Sequence, residues 1–325
     1  MKVCIYGVGA VGGFLGARLA QSGNDVAAVA RGATAAALRK HGLRVRSGES
    51  LTGAVIAVAE DPVALGPQDV VVIAVKGPSL AGVAERIAPL LRADTIVLTA
   101  MNGVPWWFFH GFGGRYAGTR VAAIDPSGAI ATAIPDRHVV GCVVHFSCST
   151  PEPGLVQHAF GNELIIGEPN GRASPRVEAL AGVLNAAGFA TKVSSSIQKE
   201  IWYKLWGNMT MNPVSAITGA TSDRILDDPL VTRFCLAVMA EAAAIGTEIG
   251  CPVAQSGEDR IAVARKLGAF RTSMLQDVEA GRAVELDALV AAVREIGEMA
   301  GILTPNIDAL LGLARLHARV RGLYP

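Results

Sequence analysis

The sequence predicts an α/β fold: a doubly wound parallel sheet followed by an all-helical second domain. Three observations carry the prediction. From residue 1 to about 193, short β-branched runs alternate with helical stretches, as parallel strands joined by crossover helices require. Some runs, Val70-Val71-Val72-Ile73-Ala74-Val75 above all, are apolar at every position, the pattern of a strand buried on both faces. Past Ser194-Ser195-Ser196 the strand signals stop and helical periodicity takes over. The expected domains are therefore 1–193 and 194–325, and 325 residues suffice for two cores. A cleft between two such domains is the natural place for chemistry.

The expected strands are Lys2–Tyr6, Asp25–Ala30, Val55–Val58, Val70–Val75, Thr95–Met101, Val121–Ile124, Val139–Phe146 and Glu163–Gly167. Among the helices, Ala10–Ser22 is closed by Gly23 and Thr34–His41 by Gly42, glycine being the residue that takes the left-handed turn after a helix. Asp228-Pro229 reads as an N-cap with proline at the first helical position, opening a helix that runs to Gly250. Glu285–Ala300 stops at Gly301, and Thr304-Pro305 opens a last helix.

Composition narrows the function. Lys and Arg total 29 against 28 Asp and Glu, so no basic field exists to gather nucleic acid or an anionic membrane. The five cysteines are scattered, odd in number and mostly in apolar runs, which suits reduced thiols in a cytoplasmic protein. Cys142, His145 and Cys148 lie close in sequence, but a strand puts His145 on the opposite face and the two sulfurs about 20 Å apart, so no metal site is expected. Met1–Gly7 breaks its apolar run too early for a signal peptide, and the greasiest helix, after Pro229, carries Arg233, Glu241 and Glu248. A cytoplasmic location is expected. The apolar helices of the second domain are sufficient for a homodimer interface, which the sequence leaves open.

Gly7-Val8-Gly9-Ala10-Val11-Gly12 is a GxGxxG that directly follows a strand and opens a helix, the context that makes this otherwise weak pattern Rossmann-like. The first glycine permits the tight turn and the second lets the backbone approach a pyrophosphate. The third lets the helix pack close on the strand with its N-terminus facing the anion. About twenty residues on, where an NAD site places Asp or Glu, the chain reads Ala28-Val29-Ala30-Arg31-Gly32. No carboxylate stands there, and Arg31 offers a planar fork for a 2′-phosphate, so the expected cofactor is NADP(H). Lys76 ends the strand Val70–Val75 and either adds charge near that cofactor or is an ordinary strand-end lysine.

Reducing a carbonyl with a nicotinamide requires a proton donor for the developing alkoxide and an anchor for the rest of the substrate. One helix, Ile201–Pro213, has the pattern. Trp202, Leu205, Trp206 and Met209 make an apolar stripe, while Lys204, Asn208 and Asn212 follow at intervals of four on a second face. Asparagine is a poor helix former used for specific hydrogen bonds, and a lysine in a partly dry cleft has a pKa that can approach neutrality. The plainer alternative is a solvated stripe, with Asn212 ending the helix before Pro213.

In order along the chain stand Gly7–Gly12, Asn102-Gly103, Lys204-Leu205 with Asn208 and Asn212-Pro213, Ser273-Met274-Leu275-Gln276-Asp277, Glu285-Leu286-Asp287 and Gly301–Pro305. Together they resemble the ketopantoate reductase (2-dehydropantoate 2-reductase) family over nearly the whole length. The resemblance implies a second domain similar to the C-terminal domain of 6-phosphogluconate dehydrogenase. It implies NADPH-dependent reduction of 2-dehydropantoate to pantoate, on the path to pantothenate and coenzyme A. By motif it makes Lys204 the general acid and Glu285 its acidic partner. Asn208, Asn212 and Ser273 would bind substrate, Asn102 would sit near nicotinamide and substrate, and Arg31 with Lys76 would lie near the 2′-phosphate. Taken alone, Ser273 is a helix N-cap and Glu285 a first-turn carboxylate favoured by the helix dipole.

Two places depart from the family pattern. The run Val104-Pro105-Trp106-Trp107-Phe108-Phe109-His110 is densely aromatic; it either shapes a cleft mouth for a different 2-oxo acid or forms core or an oligomer contact. Ten residues past Asn212, where some members carry another asparagine, stands Ser222. The alternatives to ketopantoate reduction are thus an NADPH-dependent reductase of another 2-oxo acid and a module that senses NADPH without turnover.

Overall fold

A computed structural model describes residues 1–325, which fall into two compact units. The first comprises Met1–Met101, Trp107–Thr119 and Ser127–Glu200; the second comprises Asn102–Trp106, Arg120–Pro126 and Ile201–Pro325. Two short segments from the first half of the chain are therefore built into the helical unit.

The first unit is a ten-stranded sheet with the strand order β4-β3-β9-β8-β7-β6-β1-β2-β5 and β10 beside β9. Its nucleotide-binding half is β1 (Lys2–Tyr6), β2 (Asp25–Val29), β5 (Ala57–Ala59), β6 (Val70–Ile73) and β7 (Ile96–Thr99), all pairing parallel around a central β1. Crossover helices α1 (Ala10–Gln21) and α2 (Gly32–His41) follow β1 and β2, and α3 (Leu80–Ala84) lies between β6 and β7. β1, β6 and β7 bury their apolar residues on both faces, as their unbroken hydrophobic runs require. Both helix stops expected at glycine stand where the sequence puts them, with Gly23 at φ +88° and Gly42 at φ +68°.

The other half of the sheet is mixed rather than parallel. β8 (Val139–Glu152) and β9 (Leu155–Gly167) form a long antiparallel hairpin, because only Pro153 and Gly154 connect them and so short a link allows no crossover. β3 (Leu43–Ser47) and β4 (Ser50–Ala54) make a second hairpin at the edge, and β10 (Ala190–Val193) joins β9 in parallel. Helix α4 (Ala129–Ala133) precedes β8, and α5 (Pro175–Ala186) precedes β10. The expected strand Val121–Ile124 is not one. It is a turn of the second unit, whose Ala122 and Ala123 amides donate to the Glu295 carboxylate at 2.6 and 2.7 Å instead of to a ladder.

The aromatic run is core. Trp106, Trp107, Phe108 and Phe109 are all buried, so the reading of a bulky cleft mouth is set aside. Phe108 and Phe109 pack edge to face at 5.1 Å, and Trp107 covers Gly141 so closely that a Cβ there would lie 2.5 Å from the indole.

The second unit is built on α6 (Ile197–Thr218) and α8 (Pro229–Glu248). Between them lies α7 (Ser222–Asp227), and α9 (Gly257–Arg265), α10 (Ser273–Glu279), α11 (Ala292–Ala300) and α12 (Pro305–Val320) follow. A π-turn, Asp287–Ala291, leads into α11. The stripe read on α6 faces α8: the Trp202 and Trp206 indoles donate to the Ala242 and Met239 carbonyls at 3.2 and 2.8 Å. Asp228 caps α8 through the amides of Leu230 and Val231. α8 is long and apolar enough by length and composition to cross a membrane. Here it is a packing helix, and its Glu241 caps α12 by accepting from the Asn306 and Ile307 amides, both at 2.9 Å.

Candidate active site

In the first unit two of the three loop glycines are bare for steric reasons. Gly7 has φ +101°, and a Cβ there would meet Val75 and the Ala74 backbone within 3 Å. A Cβ at Gly12 would come 2.1 Å from the Gly7 carbonyl oxygen, so α1 seats on β1 only because this position is bare. Gly9 is different. It is exposed, caps α1 with no side chain of its own, and has nothing within 4 Å of its Cβ position. No protein contact explains that glycine.

Val8 is buried, and Ala10 and Val11 are half-buried at the start of α1. Arg31 is exposed at the C-terminal end of β2 and caps α2. Burial raises the Tyr6 hydroxyl pKa, and the nearby Arg86 and Arg31 guanidinium groups pull it partly back, so two cations stand by the end of β1. The sequence reading missed Arg86, which the chain positions through the Glu60 carbonyl at 3.1 Å and the Asp61 carboxylate at 3.6 Å. Lys76 is half-buried and caps the turn Gly77–Ser79 after β6. A cationic set thus stands at this strand end, and the one carboxylate of β2, Asp25, is at the opposite end of the strand.

In the second unit, α6 does not stop at Asn212; it passes through Pro213 to Thr218. Lys204, Asn208 and Asn212 therefore share one face of a continuous helix. The Lys204 ammonium donates to Asn102 Oδ1 at 2.8 Å. The segment holding Asn102 is pinned behind it: the Val104 amide donates to the Ala288 carbonyl at 2.9 Å. A Cβ on Gly103, which has φ +88°, would fall 2.6 Å from that same carbonyl oxygen. Glu285 is buried one turn before Ala288 and opens the helical turn against which Gly103 rests.

Asn212 is buried, and its amide donates to Ser273 Oγ at 3.3 Å. The cap of α10 is Thr272, whose hydroxyl accepts from the Leu275 amide at 3.2 Å; Ser273 is not the cap and is left to face Asn212. Asn208 and Asn212 both line a cavity of about 120 Å³. A cavity of roughly 150 Å³ takes up a benzene-sized group, so this one fits a small molecule. Its remaining wall is largely apolar, with Met211, Met239, Leu267 and Phe270, but it includes Arg260, which the sequence reading passed over. Ser222 also borders it, with its hydroxyl and amide both donating to the Phe270 carbonyl, at 3.2 and 2.9 Å.

A Rossmann-like unit, followed by a helical unit that carries a lysine and two asparagines on one helix face, defines the class: an oxidoreductase dependent on a nicotinamide dinucleotide. Comparison with known proteins narrows it. Residues 3–106 match the family model "Ketopantoate reductase PanE/ApbA", and residues 196–318 match its C-terminal counterpart. The chain is 45% identical, over the full length of both, to a 2-dehydropantoate 2-reductase of Mesorhizobium japonicum. It is 58% identical to a protein from Ralstonia solanacearum assigned provisionally as a ketopantoate reductase, whose crystal structure superposes at a TM-score of 0.95 over 99% of both chains. A 2-dehydropantoate 2-reductase from Geobacter metallireducens, 26% identical, gives a TM-score of 0.85 over 97% of this chain and 99% of that one. The chain belongs to the ketopantoate reductase family.

Proposed function

We propose that this chain reduces 2-dehydropantoate to pantoate at the expense of NADPH, a step towards pantothenate and coenzyme A. The observation that carries the reading is Lys204, held by Asn102 at 2.8 Å on the same helix face as the two asparagines of the small-molecule pocket. Gly7–Gly12 would hold the pyrophosphate on the α1 amides, and Arg31, Arg86 and Lys76 would neutralise the 2′-phosphate. NADPH, when bound, supplies a hydride to the C2 carbonyl carbon. Lys204 gives a proton from its Nζ to the oxygen of C2 as negative charge builds there. Asn102 orients that ammonium through its side-chain oxygen, and Glu285 supplies the negative charge that favours the protonated amine. Asn208, Asn212 and Ser273 hold the substrate's hydroxyl and carboxylate, and the Asn212–Ser273 contact keeps both side chains in register.

The test follows NADPH absorbance with 2-dehydropantoate. Wild-type turnover, a fall of about 10²–10⁴ in kcat for Lys204→Ala, and unchanged NADPH affinity are expected. A Lys204→Ala enzyme that keeps its rate removes the acid assignment, and NADPH binding without any turnover leaves the sensor reading. A different 2-oxo acid is the second reading. It is favoured by Ser222, whose hydroxyl is engaged with Phe270 and leaves the pocket one polar group poorer. We assign the chain to the cytoplasm, where its five free cysteines stay reduced. A homodimer contact is placed on the exposed apolar row Leu313, Leu316 and Val320 of α12.

A further inference from the structure

We infer that Arg260 binds the carboxylate of the substrate, and that Gly207 is bare so that its guanidinium can reach the pocket; this rests on the 2-oxo-acid reduction proposed above. Arg260 lies on α9 in the wall of the cavity that Asn208 and Asn212 line. It is half-buried, and its guanidinium has no carboxylate partner. Four other arginines of the same unit do: Arg265 pairs with Asp227, Arg271 with Glu279, Arg282 with Asp277 and Arg294 with Asp308. The Arg260 guanidinium instead stands over the Tyr203 ring, 5.2 Å from its centroid, and that ring is held by the Tyr203 hydroxyl donating to Gln255 at 2.7 Å. A cation partly withdrawn from water with only a ring for company lacks a counter-ion. A carboxylate entering the cavity supplies one, in the fork geometry that arginine matches best.

Gly207 provides an independent sign. It sits inside α6, where glycine weakens a helix relative to alanine. A Cβ there would lie 2.9 Å from both Nε and Nη2 of Arg260 and 3.3 Å from Cζ, and these are its three nearest atoms. The missing side chain is the seat of the guanidinium. Gly207 is also three residues from Lys204, so the seat and the proton donor are neighbours on α6, about 5–6 Å apart at their Cβ positions. A 2-oxo acid bears its carboxylate directly on C2, next to the oxygen that Lys204 would protonate. Met211, Met239, Leu267 and Phe270 then meet its carbon tail.

The experiment titrates 3-methyl-2-oxobutanoate and, separately, its methyl ester into NADP⁺-loaded protein by calorimetry, where no reduction can occur. The wild type should prefer the acid by about 30-fold or more, the worth of a charge-assisted bidentate contact. Arg260→Gln should lose about that factor for the acid while the affinities for ester and NADPH stay within about twofold. Gly207→Ala should weaken acid binding in the same direction without lowering Tm, because the added Cβ displaces a flexible side chain and improves the helix. Acid binding by Arg260→Gln within about threefold of wild type, or a wild type indifferent to acid and ester, overturns the assignment. Turnover is measured apart: a wild type that favours the acid but reduces no 2-oxo acid keeps Arg260 as a carboxylate site and removes only the reductase reading.

Discussion

Gly9 and Gly12 stand three residues apart in one loop, yet adding a methyl group to each should damage different properties. At Gly12 the new Cβ would be 2.1 Å from the Gly7 carbonyl oxygen and 3.0 Å from both Ala74 Cβ and Ile5 Cγ2. Backbone blocks it on one side and packed side chains on the other, so α1 must lift from β1 by roughly 1 Å. Overpacking of this kind costs about 1–3 kcal/mol, and the backbone obstacle argues for the upper end. In a unit of this size about 3 kcal/mol lowers Tm by roughly 6–12 °C. At Gly9 the Cβ meets nothing within 4 Å, and the backbone there is extended, open to alanine. Only the poorer N-cap is lost, about 1 kcal/mol or less. The methyl group would instead fill the space through which a pyrophosphate reaches the α1 amides. Losing one such charge-assisted contact, about 1.5–3 kcal/mol, weakens NADPH binding roughly 10- to 150-fold. Thermal melts followed by circular dichroism and fluorescence titration with NADPH separate the two effects. Gly9→Ala binding NADPH as the wild type does would refute the phosphate-loop reading; Gly12→Ala melting as the wild type does would refute the packing argument.

Other predictions follow from the same structure. Arg31→Glu should reverse the cofactor preference, weakening NADPH by about 10-fold or more while sparing NADH; equal losses for both nucleotides would remove Arg31 from the 2′-phosphate site. Glu168 concerns stability. Burial pushes its carboxyl up, but hydrogen bonds from Arg176 and Ser174 and the charge of Arg176 outweigh burial and hold it below its ordinary 4.5. A depressed carboxylate stabilises the fold above its unfolded pKa, and that contribution disappears as pH falls through the folded value. Arg176→Met should therefore cost about 3 kcal/mol at pH 7 by stranding a buried charge. The gap to wild type should close on acidification, once Glu168 is protonated in both. A gap that is constant with pH in thermal melts would show that the ion pair is not its source.

The parts legible in the sequence are those whose physics is local. The glycine loop is one, because a strand, a tight turn and a helix start fall within eleven residues and Gly7 and Gly12 each have a local steric reason. The all-apolar β6 is another, as are the Asp228-Pro229 start of α8 and the Gly301 end of α11, where φ is +71°. The Lys204–Asn208–Asn212 register followed from helical geometry alone, although Pro213 invited an end that packing overrode. Misreadings arose where the decision belongs to a distant partner. Val121–Ile124 has a strand's composition but gives its amides to Glu295, 173 residues on. The middle of the β8–β9 hairpin is polar and reads as a gap between two strands, since half-exposed ladder positions carry no hydrophobic signal.

The sequence by itself determined the nucleotide-binding half, the helical character of the rest and the helix face that carries the amine, because backbone sterics and helical spacing act between near neighbours. Tertiary structure alone decided that the aromatic run is core, that Asn102 belongs to the helical unit and bonds Lys204, and that Arg260 rests on Gly207. Each of those depends on which surfaces meet, and a glycine in a helix or an arginine on another has no distinguishing pattern until its neighbour, half a hundred residues away, is brought against it.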